Sequence, residues 1–246
     1  MHYQYEDLGG GLQLAVTPQH RFGGDAFLLA GFAAAKKADR VLDLGTGCGI
    51  IPFVLQRQVA PAAVTGLDIQ PAAVAQFHHS IRRSGLQNMQ AVEGDIRRAD
   101  ALFGAEQFDL ITCNPPYFPA GSGPVAASGA GRIARHQLLC TAADICRVSA
   151  RLLRYGGRLC VCQRPAQLVD VLAEMRAHRL EPKRLQLVVQ RPGAAPWLAL
   201  IEGRKGGRPT LQVLPDFVVE APDGSFSAAM LALYQKSGPA APKEEM

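Results

Sequence analysis

A glycine-rich turn between a short apolar run and a helix-like segment constrains this chain more than any other feature. The apolar run covers residues 40–44, the turn Gly-Thr-Gly-Cys-Gly covers residues 45–49, and the helix-like segment covers residues 50–58. Such a turn lets a ligand approach the backbone closely, because glycine has no Cβ atom. The pattern therefore predicts an α/β unit with a ligand at the end of its first strand.

Strand-like and helix-like segments continue to alternate behind this unit. Strands are predicted for residues 63–69, 89–93, 108–113, 158–163, 184–190 and 197–202, and helices for residues 71–83, 135–155 and 165–178. Gly85 and the pair Gly156-Gly157 are expected to end the first two helices. This alternation predicts a doubly wound, mostly parallel sheet. Only Arg191-Pro192-Gly193 and a few neighbours separate the last two strands, which predicts a terminal antiparallel hairpin.

Composition excludes several classes of protein. Of 246 residues, 48% are hydrophobic and 19% charged, which is too apolar for a disordered chain. The 25 Gly and 17 Pro exclude a coiled coil. The longest apolar run, residues 26–35, is shorter than the roughly 20 residues that a membrane span needs. The N-terminus does not resemble a signal peptide, so a cytoplasmic protein without membrane contact is predicted.

The six cysteines include no C-x-x-C pair, so we expect buried, reduced thiols and no metal site. Three parts of the chain are predicted: an N-terminal cap over residues 1–38, a catalytic domain over 39–234 and a disordered tail over 235–246. The small, glycine-rich stretch 120–131 is predicted to be a mobile loop.

Positive charge is concentrated in one block. Residues 132–208 hold 15 Lys and Arg against 5 Asp and Glu, whereas the rest of the chain is slightly acidic. Such a block suggests a polyanionic partner such as nucleic acid.

Three acidic residues lie at the ends of successive predicted strands or just beyond them. Asp43 precedes the turn and suits a ligand ammonium, Asp68 suits two ribose hydroxyls, and Asp95 suits an adenine amino group. The G-x-G-x-G spacing differs from the G-x-G-x-x-G of a pyrophosphate-binding turn, which weighs against a nicotinamide-dependent dehydrogenase. The pattern resembles the class I (Rossmann-like) S-adenosylmethionine-dependent methyltransferases. That resemblance implies a seven-stranded sheet and a cofactor site formed by Asp43, Gly45, Gly47, Gly49, Asp68, Ile69, Asp95, Ile96 and Asn114.

The tetrapeptide Asn114-Pro115-Pro116-Tyr117 follows the fourth predicted strand of the sheet. It resembles the N-P-P-Y signature of methyltransferases that act on adenine N6, cytosine N4 or glutamine N5. An exocyclic amine is a poor nucleophile, because its lone pair is delocalised. Hydrogen bonds to the Asn114 side-chain oxygen and the Pro115 carbonyl would orient it for in-line attack, and Tyr117 would stack on a flipped base.

Most of the chain, roughly residues 10–234, is similar to the bacterial tRNA1(Val) adenine-37 N6-methyltransferase family. Residues 19–30 resemble a family motif over the cofactor, which adds Gly24 and Asp25 to the candidate site. Residues 134–137, 181–185 and 199–207 resemble further family motifs, although Gln137 stands where the family has Glu.

The resemblance implies methyl transfer to adenine N6 in structured RNA, first of all to an adenine in the anticodon loop of tRNA. Phosphate contacts are predicted for Arg132, Arg135, Lys183 and Arg184. The alternatives are a glutamine N5 protein methyltransferase, an adenine methyltransferase for rRNA or DNA, and a non-catalytic RNA-binding module. The glutamine-modifying enzymes usually carry a helical N-terminal domain, for which 38 residues leave no room, and the intact motifs weigh against a non-catalytic module.

Overall fold

Strands and helices alternate through residues 3–115 and 140–234, which are the residues that the computed structural model describes. The strands are β1 (Gln4–Asp7), β2 (Gln13–Val16), β3 (Arg40–Leu44), β4 (Ala63–Asp68), β5 (Met89–Glu93), β6 (Phe108–Cys113), β7 (Leu153–Gln163), β8 (Leu180–Val189), β9 (Leu198–Lys205), β10 (Gln212–Val213) and β11 (Phe217–Val218). The helices are α1 (Gly24–Ala33), α2 (Ile50–Val59), α3 (Pro71–Arg83), α4 (Ala99–Phe103), α5 (Ala142–Leu152), α6 (Leu168–Ala177) and α7 (Ala228–Tyr234).

The main sheet has the strand order β10-β8-β9-β7-β6-β3-β4-β5. Strands β5, β4, β3, β6 and β7 run parallel, whereas β9 is antiparallel to both β7 and β8. The predicted class I architecture with its terminal hairpin is thus confirmed. Two short strands, β10 and β11, extend the predicted seven by pairing with the outer edge of β8.

Burial on both faces explains why the central strands are continuous apolar runs. In β3, Val41 faces one hydrophobic cluster and Leu42 and Leu44 face the other. All three side chains are at most 1% exposed. Because every strand from β5 to β7 runs in the same direction, their carboxyl ends meet at a single edge of the sheet. Ligands of open α/β sheets bind at that edge.

The predicted helix over residues 135–155 is wrong at its C-terminal end. Residues 135–139 lie outside the described part of the chain, and α5 begins after Thr141, whose hydroxyl and the Asp144 carboxylate form a capping box. The helix ends at Leu152, and Leu153 already pairs with Phe108 of β6. The glycine pair lies within β7, where the register shifts opposite β6, and Gly156 adopts φ +80°. These glycines therefore accommodate a bulge in a strand instead of ending a helix.

The N-terminal segment contributes a β1–β2 hairpin and α1. The hairpin is attached to α3, because the Ser80 hydroxyl accepts from the Ala15 N–H at 2.9 Å and the Gln76 amide donates to the Ala15 carbonyl at 2.8 Å. Side chains of α1 share one hydrophobic cluster with α2 and β3. A separate cap over residues 1–38 stays a prediction, while the tail 235–246 lies outside the described residues. In the described ranges, no helix has the length and apolarity to cross a membrane.

Candidate active site

The glycine-rich turn closes the carboxyl end of β3 against β4. The N–H groups of Gly45 and Thr46 both donate to the Leu67 carbonyl, at 2.8 and 3.0 Å. Gly47 adopts φ +54°, and a Cβ atom placed there would meet nothing within 4 Å, so open space adjoins its backbone. Gly49 adopts φ +87°, and a Cβ there would lie 2.1 Å from the Phe77 ring. The turn therefore requires glycine for backbone conformation and leaves room for a ligand.

Asp68 ends β4 directly beside this turn. Its Oδ2 accepts from the Gly47 N–H at 2.8 Å, and its Oδ1 accepts from the Gln70 N–H at 2.9 Å. These bonds hold the carboxylate in one orientation. A carboxylate has about four acceptor positions, so each oxygen can still accept a hydroxyl from a ligand. Ile69 continues the chain from Asp68 towards α3 at this edge.

Asp43 lies one residue before the end of β3 and is 1% exposed. Its Oδ1 accepts from the Thr112 hydroxyl at 2.7 Å. Its Oδ2 is also buried, and among the described residues no group donates to it with the geometry of a hydrogen bond. Burial raises the pKa of Asp43 to about 7, and the hydroxyls of Thr112 and Thr46 partly offset this effect. A buried carboxylate oxygen without a partner beside a glycine turn fits a ligand that carries a positive charge, such as an ammonium group.

This raised pKa predicts a pH dependence of ligand binding. An ammonium group binds the ionised form of the carboxylate. Affinity for a cofactor that carries an amino-acid ammonium group should therefore fall about tenfold as the pH drops from 7.5 to 6. Without ligand, folding has the opposite pH dependence. Because folding raises the pKa of Asp43 from 3.8 to about 7, its contribution to the free energy of unfolding declines as the pH rises from about 4 to about 7. Titration calorimetry on the wild type and on Asp43→Asn tests this prediction. Equal pH dependence in both proteins would assign it to another group.

Asp95 and Ile96 follow β5 at the same edge. The Gly94 N–H donates to the Asp68 carbonyl at 2.9 Å, which ties this segment to the end of β4. Arg97 donates to the Asp95 carboxylate through its backbone N–H at 2.9 Å and through its Nε, also at 2.9 Å. These bonds lower the pKa of Asp95, so the carboxylate is ionised and oriented. From the sequence we predict no protein partner for Asp95, although an Arg two residues after an Asp permits this contact.

Asn114 and Pro115 continue β6 beyond its last residue, next to the glycine turn. Thr112, two residues before Asn114, is the residue that contacts Asp43. The Asn114 Oδ1 accepts from the Cys162 thiol at a distance of 3.0 Å. Pro115 lines a cavity of about 290 Å3 that extends between α5 and α6. The amide and the carbonyl that could hold an amine thus lie on the strand adjacent to Asp43. Pro116, Tyr117, the glycine-rich stretch 120–131, Arg132 and Arg135 lie outside the described residues, so the predictions for them are not tested.

Gly24 and Asp25 form the first turn of α1. The Asp25 carboxylate accepts from the Ala26 N–H at 3.1 Å, and a Cβ atom at Gly24 would lie 3.1 Å from the Tyr234 hydroxyl. These contacts explain the local structure. A role for the two residues in cofactor binding stays a prediction.

Lys183 and Arg184 lie in the first half of β8, towards the edge of the sheet opposite Asn114. The Lys183 ammonium donates to the Arg208 carbonyl at 3.0 Å. Arg184 donates to the Glu202 carboxylate at 3.0 Å through Nε and to the Phe32 carbonyl at 2.8 Å through Nη2. These bonds do not test the predicted contact of the two residues with RNA phosphates. For Arg184 they weigh against that contact, because its guanidinium group already binds Glu202 and the Phe32 carbonyl.

Replacement of Arg184 by alanine should therefore affect folding before it affects any ligand. The Glu202 side chain is only 7% exposed and would lose its nearer cation, while Arg158 stays 3.8 Å away. We expect the free energy of unfolding to fall by about 2 kcal/mol. Lys183→Ala is the matched control and should change stability by less than about 0.5 kcal/mol. Denaturant melts measure both, and unchanged stability with weaker RNA binding in Arg184→Ala would support the phosphate contact.

Besides the Arg97 contact of Asp95, two further contacts of the site were not predicted from the sequence. Thr112 binds Asp43, and Cys162 binds Asn114. The only sequence signal for either residue is its position in a predicted strand that ends at the site, since every second side chain of a strand lies on the same face. Over the described ranges, no group of three or more His, Cys, Asp or Glu side chains is arranged to hold a metal ion.

Comparison with protein families and curated relatives gives one consistent result. Residues 35–193 match the family model described as a methyltransferase domain. A tRNA1(Val) (adenine(37)-N6)-methyltransferase of Porphyromonas gingivalis is 32% identical over 192 residues, which cover 75% of this chain and 74% of the relative. The enzyme of the same name from Aeromonas hydrophila is 27% identical, with 87% and 88% covered.

Comparison with solved structures supports the fold. A protein of Agrobacterium tumefaciens described as a predicted O-methyltransferase superimposes with a TM-score of 0.68. The match has 22% sequence identity and covers 85% of this chain and 94% of that protein.

Proposed function

The chain belongs to the methyltransferase-domain family and to the family of the tRNA1(Val) (adenine(37)-N6)-methyltransferases, and from this premise we propose that it methylates adenine N6 in tRNA with S-adenosylmethionine. The observation that carries the proposal is the position of Asn114 one strand away from the glycine turn and Asp43. A cofactor pocket and an amine-binding amide therefore share one edge of the sheet.

The residues at this edge match the chemical groups of the cofactor. The unpartnered Asp43 oxygen suits the methionine ammonium, the oriented Asp68 carboxylate suits the ribose hydroxyls, and Asp95 suits the adenine amino group. When bound, S-adenosylmethionine supplies a methyl group on a positively charged sulfur, and this group passes to the amine nitrogen as the sulfur regains its electron pair.

Asn114 and Pro115 prepare the amine for this transfer. The Asn114 side-chain oxygen and the Pro115 carbonyl each accept one amine hydrogen. This turns the nitrogen lone pair out of conjugation and towards the methyl group. Both acceptors also stabilise the positive charge that develops on the nitrogen. The proton lost from N6 passes to solvent, so no histidine or metal is needed for this step.

The nucleic-acid partner is proposed from the curated relatives and from the basic block of residues 132–208. The first candidates for phosphate contacts are Arg132 and Arg135, which follow the tetrapeptide closely in sequence. The cavity beside Pro115 is mostly apolar, and polar groups such as Gln163 and Asp170 line part of it. At about 290 Å3 it is near the lower end of the size range of small-molecule pockets, large enough for a nucleobase.

Methyl transfer in vitro separates this proposal from the glutamine-modifying alternative. Purified protein and methyl-labelled S-adenosylmethionine are offered either unmodified tRNA or a release-factor peptide that contains a glutamine acceptor. We expect label only in tRNA, recovered as N6-methyladenosine after nucleoside digestion. Label in the peptide alone would overturn the choice of RNA over protein.

Tyr117 gives a further prediction about the target base. Stacking requires the aromatic ring and not the hydroxyl, and it contributes about 1–3 kcal/mol. Tyr117→Ala should therefore lower kcat/KM for tRNA about 5- to 150-fold, and Tyr117→Phe should stay near the wild type. Steady-state kinetics on both variants checks this. Equal impairment would indicate a hydrogen bond of the hydroxyl instead.

A further inference from the structure

The carboxyl ends of β6 and β7 bring a cysteine next to the proposed catalytic amide. The two strands are parallel, and Cys113 is paired with Val161. The following residues, Asn114 and Cys162, are therefore neighbours. The Cys162 Sγ lies 3.0 Å from the Asn114 Oδ1, with the thiol as donor.

We propose that Cys162 is a positioning residue that holds the Asn114 side-chain oxygen towards the target amine. This inference rests on the proposed function, because it concerns the amide assigned to amine activation there. A side-chain amide presents either an oxygen or an NH2 group after a 180° rotation about its last bond. Because the Cys162 thiol is a donor, it favours the orientation of the Asn114 amide in which the oxygen and not the NH2 group lies beside it. The oxygen has two lone pairs, so it can accept from the thiol and from the amine together.

Burial fixes the thiol in its place. Cys162 is 0% exposed and lies in β7 opposite Leu200 of β9, within the hydrophobic cluster that contains α1 and α2. Strands on both sides prevent the backbone of β7 from shifting. A thiol is also a weak donor that costs little to bury, so it orients the amide without withdrawing much electron density from the oxygen.

The same strand supplies a matched control. Cys160 is two residues earlier, points to the same face of β7 and is also 0% exposed. Its thiol donates to the Glu202 carboxylate across 4.0 Å, on the side of β7 that faces β9. Replacement of either cysteine by alanine removes one buried sulfur atom from the same cluster. A purely structural effect should therefore be similar in Cys160→Ala and Cys162→Ala.

The experiment compares kcat and KM of Cys162→Ala, Cys162→Ser and Cys160→Ala on tRNA, with melting temperatures measured in parallel. We expect Cys162→Ala to lower kcat about tenfold with KM for S-adenosylmethionine unchanged, because the amide loses its orientation. Cys162 also lines the cavity beside Pro115, so kcat and not KM for tRNA reports on the amide. Cys162→Ser keeps a donor and should recover kcat to within about threefold of the wild type. Cys160→Ala should melt at a temperature similar to that of Cys162→Ala and keep the wild-type kcat.

A double-mutant cycle with Asn114→Ala then assigns the effect. If Cys162 acts through Asn114, its replacement should lower kcat less than about twofold further in the Asn114→Ala protein. Equal kcat in Cys162→Ala and Cys160→Ala, no recovery by serine, or full additivity in the cycle would each overturn this inference alone. A wild-type protein that transfers no methyl group to tRNA would overturn the proposed function as well.

Discussion

Replacement of Asn114 by alanine is expected to lower the rate of methyl transfer to tRNA about 100-fold or more. The substitution removes a hydrogen-bond acceptor that acts on the amine as charge develops, and one such group contributes about 3 kcal/mol to the transition state. Affinity for S-adenosylmethionine should stay within a few-fold of the wild type. The proposed contacts to its ammonium and ribose groups come from Asp43 of β3 and Asp68 of β4, which the substitution leaves in place. Single-turnover kinetics and cofactor titration measure the two effects separately.

Gln107 provides the control for this variant. It carries the same amide group and immediately precedes the first residue of β6, at the end of the strand far from the site. Its side chain is exposed, and its Nε2 donates to the Ala105 carbonyl. Gln107→Ala should leave both the rate and the cofactor affinity unchanged. A near wild-type rate in Asn114→Ala would show that the amide does not activate the amine.

Replacement of Asp68 by alanine is expected to weaken S-adenosylmethionine binding about 100-fold or more. Two ribose hydroxyls would lose their shared acceptor, and each charge-assisted hydrogen bond contributes about 1.5–3 kcal/mol. The Gly47 and Gln70 N–H groups would lose their partner as well, so the turn itself would become less ordered. Calorimetry with S-adenosylmethionine and with NAD tests both the magnitude and the identity of the cofactor.

Glu93 is the matched control for Asp68. It is paired with Asp68 across β4 and β5 but is exposed to solvent. Glu93→Ala should bind S-adenosylmethionine as the wild type does. A loss of less than about threefold in Asp68→Ala, or micromolar binding of NAD, would contradict the assigned cofactor site.

The sheet could be predicted from the sequence because its central strands are buried on both faces. Such strands read as short apolar runs, and the acids and glycines that end them are local signals. The hairpin of β8 and β9 is also predictable from the sequence, but for a different reason: the segment between the two strands is too short for a crossover helix.

The start of β7 could not be predicted, because Leu152 and Leu153 are both fully buried although one ends a helix and the other begins a strand. Their apolar character fits either structure. The local signal that places α5 correctly is its capping box, in which Thr141 and Asp144 have the required spacing.

The residues of the candidate site and their partners fall into two groups: those that a local sequence signal identifies and those that depend on the order of the strands. Asp43, Asp68 and the glycines of the turn are contiguous with strand ends, so sequence spacing identifies them. The partners Thr112, Arg184 and Cys162 depend on which strands are neighbours, and strand order is not a local property of the sequence. Arg184 illustrates the difference, because its charge suggested an external anion and the fold places Glu202 beside it.

Mass spectrometry of tRNA nucleosides tests the central claim most directly. tRNA is isolated from a deletion strain, from the same strain complemented with the wild-type chain, and from one complemented with Asn114→Ala. The account predicts that one N6-methyladenosine in tRNA is lost on deletion, restored by the wild type and not restored by Asn114→Ala. Unchanged N6-methyladenosine in the deletion strain, or full restoration by Asn114→Ala, would contradict it.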